Sequence, residues 1–314
     1  MNTDLPTCAI GLDVGGTKVA GGIVAFPSGK VVVRRKVPSG SERTGEAILD
    51  DVLTLASELV KRAVTIGSKV LAIGVGVCEL VDHGGDITSE QTIRWRGLPV
   101  RDGFARLAPT IVESDVRAAA LAESLFGIAK PFRFFVYVTV GTGISYCFVQ
   151  EGRPYAGARG NALVLSSSPL TTTCTTCGTV LKPVLEEFAS GPALVSRYNE
   201  RVPGKGVSGE DVLAASQAGD LSAMEVTRTA GEALGVSVGF LVNVLDPEAV
   251  IVGGGLGLAG GLYWDSFVAS TRDHIWAHEA RDLPILKAAL GADAGVIGAA
   301  ATAVQRFAAE RLSE

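Results

Sequence analysis

Short apolar runs separated by glycine turns open the chain. Cys8–Leu12, Val19–Phe26 and Lys30–Val37 are rich in β-formers, with Gly15-Gly16 and Pro27-Ser28-Gly29 between them, and the pattern predicts three strands joined by tight turns. Glu46–Ile66 then places Ile48, Val52, Leu55, Leu59, Val60 and Ala63 at helical spacing. Val70–Val77 is continuously apolar, as a strand covered on both faces would be. Thr110–Glu113 reads as a strand that runs into an Ala-rich helix over Asp115–Phe126. The rhythm of strand, glycine turn, strand returns at Phe134–Thr139, Gly141-Thr142-Gly143 and Ile144–Val149, a faint internal duplication. Residues 157–180 are rich in Gly, Ser, Thr and Pro and read as a long functional loop. Beyond Leu181 the pattern is helical, broken by the strand Ala249–Val252 with its Gly253-Gly254-Gly255 turn and by a short strand near Pro284–Lys287. A last helix, Gly295 to Leu312, is expected to return to the first lobe. The class is therefore α/β, in two lobes (1–117 plus 295–314, and 118–294) with a ligand cleft expected between them.

Composition narrows the function. The chain has 314 residues, 47% of them apolar and only 19% charged, which excludes a disordered, charge-solvated chain. With 28 Lys+Arg against 33 Asp+Glu the net charge is −5, leaving no basic footprint for nucleic acid or an anionic membrane. Met1 to Pro6 has neither a basic nor an apolar signal region. A mean hydropathy of +0.33 raises the membrane question. The most apolar stretch, Leu234–Leu245, is only 12 residues long and stops at Asp246-Pro247, where a span needs about 20. Its Leu234, Val238, Leu241 and Leu245 form the stripe of a helix packed on a core. Five cysteines, an odd set with three inside apolar runs, suit a reducing cytosol. A cytoplasmic protein without a membrane partner is expected.

The glycine turns carry the candidate chemistry. In Asp13-Val14-Gly15-Gly16-Thr17-Lys18 successive glycines free backbone N–H groups to face a phosphate, and Thr17 adds a hydroxyl. Asp13 is placed to hold a water of a hydrated Mg²⁺. The segment fits neither the Walker nor the dinucleotide fingerprint. A lone Gly-Gly between strands is most often a plain hairpin, but Thr139-Val140-Gly141-Thr142-Gly143 is a second turn of this kind and Val252-Gly253-Gly254-Gly255 a third.

In this order the turns resemble the actin-like sugar kinase superfamily and, within it, the ROK family (repressors, open reading frames, kinases), which includes bacterial glucokinases and acylaminosugar kinases. The resemblance runs through Gly11–Lys18, Val75–Asp82, Arg94–Pro99, Glu113–Glu123, Val138–Gly160, Ser190–Leu194 and Asn243–Gly261. It implies a two-lobed, ribonuclease H-like fold with an interlobe cleft, an ATP and Mg²⁺ requirement, and a small-molecule sugar or cyclitol as acceptor. Asp13, Gly15, Gly16, Thr17, Lys18, Gly141, Thr142, Gly143, Gly254 and Gly255 would then meet the nucleotide and its phosphates. Relatives of this kind are commonly dimers, so a homodimer is expected. The family's repressors carry a helix-turn-helix ahead of the first glycine motif, whereas 12 residues precede Asp13 here, so a kinase is expected.

Glu113-Ser114-Asp115-Val116-Arg117-Ala118-Ala119-Ala120 resembles the family's Asn-Asp-Ala-Asn-Ala-Ala-Ala segment, whose aspartate is the general base. An Asp between a strand and a helix is by itself most often a helix N-cap; beside the glycine hairpins, Asp115 is expected to take the proton of a sugar hydroxyl. Elsewhere the chain departs from the family. Where relatives have Gly-x-x-Gly-x-Ala-Gly-Glu-Ile-Gly-His, it reads Gly157-Ala158-Arg159-Gly160-Asn161-Ala162-Leu163-Val164-Leu165-Ser166-Ser167, so the sugar-binding Glu is Val164 and the His is Ser167. Only Cys174 and Cys177 remain of the family's zinc cysteines, the third falling near Val184, and no structural zinc is expected. Ser114 and Arg117 stand for two asparagines, Cys78-Glu79 for Pro-Gly, and Thr92 for the Asn ahead of Trp95; Glu186 corresponds to a family carboxylate. The acceptor would thus meet Glu79, Thr92, Ser114, Asp115, Arg117, Gly160, Asn161, Ser167 and Glu186. With the phosphate machinery kept and the sugar readers rewritten, a kinase of a primary hydroxyl on an unusual acceptor is expected, such as an aminosugar (kanosamine) or a C7 cyclitol, with Glu79 matched to an amino group. The alternatives are an ordinary glucokinase and a non-catalytic sugar or nucleotide sensor.

Overall fold

A computed structural model describes residues 6–40, 43–169, 172–173 and 177–313. The chain divides into two units, Met1–Pro131 with Gly152–Ala162 and Ala292–Glu314, and Phe132–Glu151 with Leu163–Gly291.

The first unit is built on β1 (Thr7–Val14), β2 (Lys18–Ala25) and β3 (Lys30–Pro38), the helix α1 (Gly45–Thr65), and β4 (Lys69–Val77). The short α2 (Val100–Ala105), β5 (Thr110–Ser114) and α3 (Asp115–Phe126) follow. The sheet order is β3-β2-β1-β4-β5; β1, β4 and β5 run parallel, and the two hairpins are antiparallel. The apolar stripe of α1, with Val52, Leu55 and Leu59, covers one face against Ile10, Leu12, Ile73 and Val75. Thr44 caps that helix by accepting the Ala47 N–H at 3.3 Å. Trp95 is fully buried and donates from Nε1 to the Gly45 carbonyl at 2.9 Å, which fixes the segment before α2 to the start of α1.

The C-terminal helix α10 (Ala294–Ser313) covers the other face, on β1, β4 and α3. It reaches bare backbone. A Cβ at Gly74 would overlap the Ala299 carbonyl, and one at Gly298 would overlap the Ala118 carbonyl. The two-residue strand β8 (Arg153–Pro154) lies in the inserted segment of this unit. All of α3 stays with the first unit, past the residue 117 at which the sequence reading ends the lobe, because its Ala-rich face is the seat of α10.

The second unit begins with the hairpin β6 (Phe134–Val140) and β7 (Ile144–Gln150). The long 157–180 stretch carries the paired two-residue strands β9 (Thr172–Thr173) and β10 (Val180–Leu181). Then come α4 (Glu186–Ala189), α5 (Gly191–Arg201), α6 (Gly209–Gln217) and α7 (Leu221–Leu245), followed by β11 (Ala249–Gly253), α8 (Gly255–Leu258), α9 (Leu262–Asp273) and β12 (Ile285–Lys287). Its sheet runs β12-β11-β6-β7, with β11 parallel to both β6 and β12. The apolar stripe of Leu234, Val238 and Leu241 on α7 is buried in this core. Gly231, Gly235 and Gly239 on α7 let α9 approach along a seam of small residues. Among the described residues no helix is long and apolar enough to cross a membrane.

Gly298→Ala is expected to lower stability by about 3 kcal/mol, since the facing atom is backbone and cannot swing away. Gly255→Ala, which would point into open space, is expected to leave the urea midpoint near wild type. Equal midpoints for the two variants would refute the close-packed seat of α10.

Candidate active site

The C-terminal ends of three neighbouring parallel strands meet in the first unit, the edge at which open α/β sheets bind ligands. Asp13 lies opposite Gly76, and Val77 opposite Ser114. The register therefore brings Asp13 at the end of β1, Cys78-Glu79 after β4, and Asp115 after β5 to one place. Asp115 begins α3, and its Oδ1 accepts the N–H of Val116 at 2.6 Å. Ser114 is the N-cap by backbone but makes no side-chain cap bond.

Burial and mutual repulsion dominate here. Burial, then the charge of Asp13, pushes the Asp115 carboxyl up to about 7 against the partial relief of the Val116 N–H. Burial pushes Asp13 up to about 6, with Lys18 pulling the other way. The Cys78 thiol is raised by burial and by Asp115, Glu79 and Asp13 together, so it stays protonated. The Asp13 carboxyl accepts no hydrogen bond among the described residues. Its carboxyl lies against the first turn of α10, where a Cβ on Gly295 would be 2.5 Å from the carboxyl carbon.

Glu79 behaves differently, and the expectation that it reads an acceptor amino group is corrected. The residue is 5% exposed and its carboxylate is saturated. Oε2 accepts from the Ser89 hydroxyl and from the Gln91 N–H at 3.0 Å; Oε1 accepts from Thr92 N–H at 2.5 Å and Ile93 N–H at 3.0 Å. Glu79 is the anchor of the 89–93 loop. The loop in turn lays the Thr92 methyl against Gly16, where a Cβ would overlap it. Thr92 thus contacts the first glycine turn. In that turn the Gly15 N–H donates to the Lys18 carbonyl at 3.0 Å, and Thr17 and Lys18 are exposed.

Arg117 is likewise a brace. It is 7% exposed, pairs with Glu113, and donates to the carbonyls of Val81 at 2.6 Å and Gly160 at 2.7 Å. Glu113 also accepts the Ser114 N–H at 2.8 Å. Asn161 next to Gly160 is exposed.

The second unit holds the remaining residues. Gly141 N–H donates to the Gly143 carbonyl at 2.9 Å, and the Gly191 N–H at the start of α5 donates to Gly141 O at 2.8 Å. Thr142, at the tip, is exposed. The pairing of Gly253 with Thr139 sets the Gly254-Gly255 turn beside this hairpin. Glu186 braces the hairpin: its Oε2 accepts the Ile144 N–H at 2.8 Å and crowds Gly143. Ser167 is exposed, whereas its neighbour Ser166 is buried and donates to the Ile144 carbonyl. Cys174 lies outside the described residues; Cys177 is exposed, with its sulfur 3.2 Å from the Thr179 hydroxyl. No group of three His, Cys, Asp or Glu side chains gathers around a possible metal among the described residues.

The sequence reading missed Cys78, Glu113, Ser166 and Gly295. Cys78, Glu113 and Ser166 stand within quoted segments but drew no role there; Ser166 and Gly295 act through remote contacts, and Glu113 through Arg117 one helical turn on.

A model of the ROK family matches residues 9–306. The glucokinase of Streptomyces coelicolor is 29% identical over 311 residues, covering 93% of this chain and 96% of that enzyme. The crystal structure of a ROK family glucokinase from Streptomyces griseus in complex with glucose and AMPPNP superposes with a TM-score of 0.81 at 29% identity, covering 95% of this chain and 99% of that one. The ROK hexokinase of Thermus thermophilus gives 0.78 at 31% identity, with 96% and 99% covered.

Asp13 and Asp115 hold their protons more tightly in the fold than at the ordinary value of 3.8. The unfolded chain therefore releases them first, and both residues weaken the fold as pH climbs from about 4 to about 7. Asp115→Asn, which keeps the Val116 contact, is expected to raise Tm clearly at pH 8 and only slightly at pH 4.5, just above the ordinary value of 3.8. An equal Tm shift at both pH values would contradict the raised proton affinity of this carboxyl.

Proposed function

The chain belongs to the ROK family, and on that basis we propose that it is an ATP-dependent kinase that phosphorylates a primary hydroxyl of a hexose-like acceptor with Asp115 as general base. The observation that carries the reading is Asp115 itself: a carboxyl at a strand end, poised near neutrality beside Asp13. Ionised, it accepts a hydroxyl proton at Oδ2, since Oδ1 is held by Val116 N–H. The developing alkoxide then attacks the γ-phosphorus as its bond to the bridging oxygen breaks and ADP leaves, and catalysis is mostly positioning and charge stabilisation.

ATP would supply the electrophilic phosphorus, and a bound Mg²⁺ would offset the charge of its phosphates. The donor set fits a hydrated ion: a single carboxylate, Asp13, that accepts no other hydrogen bond among the described residues, with the exposed Thr17 hydroxyl nearby in sequence. Mg²⁺ favours such sites because it keeps several waters. The Gly15–Lys18 turn, through the Gly16 N–H and the Lys18 side chain, is proposed for the phosphates, together with Gly141, Thr142 and Gly143; the Gly15 N–H is held by the Lys18 carbonyl and shapes the turn. Gly254 and Gly255 are proposed for the nucleoside side.

For the acceptor, Ser114, Asn161 and Ser167 are proposed contacts; Gly160, first read as another, has its carbonyl held by Arg117 and positions the segment. Val164 and Ser167 replace a carboxylate and an imidazole, removing hydrogen bonds of about 1.5–3 kcal/mol each where charged. That loss supports an unusual acceptor such as kanosamine or a C7 cyclitol; Glu79 no longer does. Similarity to glucokinases over most of the chain supports glucose as the second candidate.

Coupled ADP release with Mg²⁺-ATP across glucose, N-acetylmannosamine, glucosamine, kanosamine and C7 cyclitols separates these. Turnover is expected with one acceptor, falling about 10²–10⁴-fold in Asp115→Asn. The rate is expected to rise through an acid limb near pH 7 and then level, because only the ionised carboxylate accepts the proton. Activity that survives in Asp115→Asn would refute the base assignment.

A further inference from the structure

Gly152–Ala162 belongs to the first unit although residues of the second unit flank it on both sides in sequence. Three contacts hold it in place. Arg117 Nη1 donates to the Gly160 carbonyl at 2.7 Å, and His83 Nε2 lies 2.7 Å from the Gly157 carbonyl. The Gly160 backbone, at φ +81°, lies so close to Val81 that a Cβ would overlap its carbonyl oxygen.

Arg117 joins these parts to the start of α3. Its Nε donates to Glu113 at 2.7 Å, and its Nη2 meets both Glu113 and the Val81 carbonyl. One planar fork thus ties the end of β5, the 79–87 turn and the 157–162 segment together, with Asp115 two residues away on the same helix. A Lys cannot reproduce this, since it offers a single point charge on a flexible stem. None of these hydrogen bonds reaches the Gly15–Lys18 turn. In the resemblance drawn from the sequence, position 117 is an Asn, and the 157–167 segment is the one that meets the sugar.

We infer that Arg117 is a positioning residue that sets acceptor affinity by fixing the 157–162 segment to the Val81 turn and to α3. It does so without touching the reacting atoms. The inference rests on the kinase reading above and deepens it: acceptor selection here depends on a buried brace in place of the side chains relatives use to read the sugar.

The test measures acceptor KM, ATP KM and kcat, with amide hydrogen exchange over 157–162, in wild type, Arg117→Asn, Arg117→Lys and Gly160→Ala. The last variant breaks the same docking from the opposite side and leaves the guanidinium in place. Arg117→Asn and Gly160→Ala are each expected to raise acceptor KM roughly tenfold or more, since small misplacements are costly at such sites, with ATP KM within about twofold. Exchange over 157–162 is expected to accelerate roughly tenfold in both. Arg117→Lys, which keeps the charge and loses the fork, is expected to restore only a minor part of either effect. Unchanged exchange, unchanged acceptor KM, or a parallel rise in both KM values overturns the inference alone. A wild-type enzyme that turns over no acceptor overturns the kinase reading and this inference with it.

Discussion

Helix α10 rests on bare backbone, and the site depends on that seat. Gly74 under Ala299 and Gly298 under Ala118 let the helix settle on β4 and α3 at a distance that a methyl group would prevent. The same descent brings Gly295, in the helix's first turn, against the Asp13 carboxyl. Asp13 is thereby trapped between a helix start and its parallel neighbours, and its charge falls on Asp115. Close packing made for stability becomes electrostatics: the tighter the seat, the less water reaches either carboxylate and the higher their proton affinities rise.

Four carboxylates lie close to this strand edge, and their surroundings sort them. Glu79 is saturated by donors from the 89–93 loop, and Glu113 holds Arg117 and the Ser114 N–H. These two are ionic anchors for backbone segments. Asp13 and Asp115 are the pair left without such partners, apart from the single Val116 contact on Asp115. Environments that separate like groups in this way mark which of them can exchange protons with a substrate. In the second unit Glu186 is an anchor too, for the Gly141–Gly143 hairpin.

Much of this was legible in the sequence where the signal is local. Strands and helices follow the period of the apolar residues, so β1 to β4, α1 and α3 fall within a few residues of their expected ends. Gly-rich hairpins and the Asp that follows β5 stand out because turn chemistry and strand ends are encoded within a few residues. The roles of Glu79, Arg117 and Glu186 were not legible, because each is decided by remote partners. The N–H groups that saturate Glu79 come from residues 91–93, more than ten positions on, in a segment without periodicity. The Gly160 carbonyl that engages Arg117 is 43 residues away. Position alone made these residues acceptor contacts; the hydrogen bonds of Glu79 and Arg117 make those two braces.

The central claim is that Asp115 is a half-buried carboxyl whose proton affinity is raised by its surroundings and by Asp13. The measurement that meets it most directly is a ¹³C titration of the aspartate side-chain carboxyls, assigned by comparison with Asp115→Asn and Asp13→Asn. The account predicts that the Asp115 resonance titrates near pH 7 and that its midpoint falls when Asp13 is neutralised. A midpoint near the ordinary carboxylate value of 3.8, unmoved by Asp13→Asn, would contradict it.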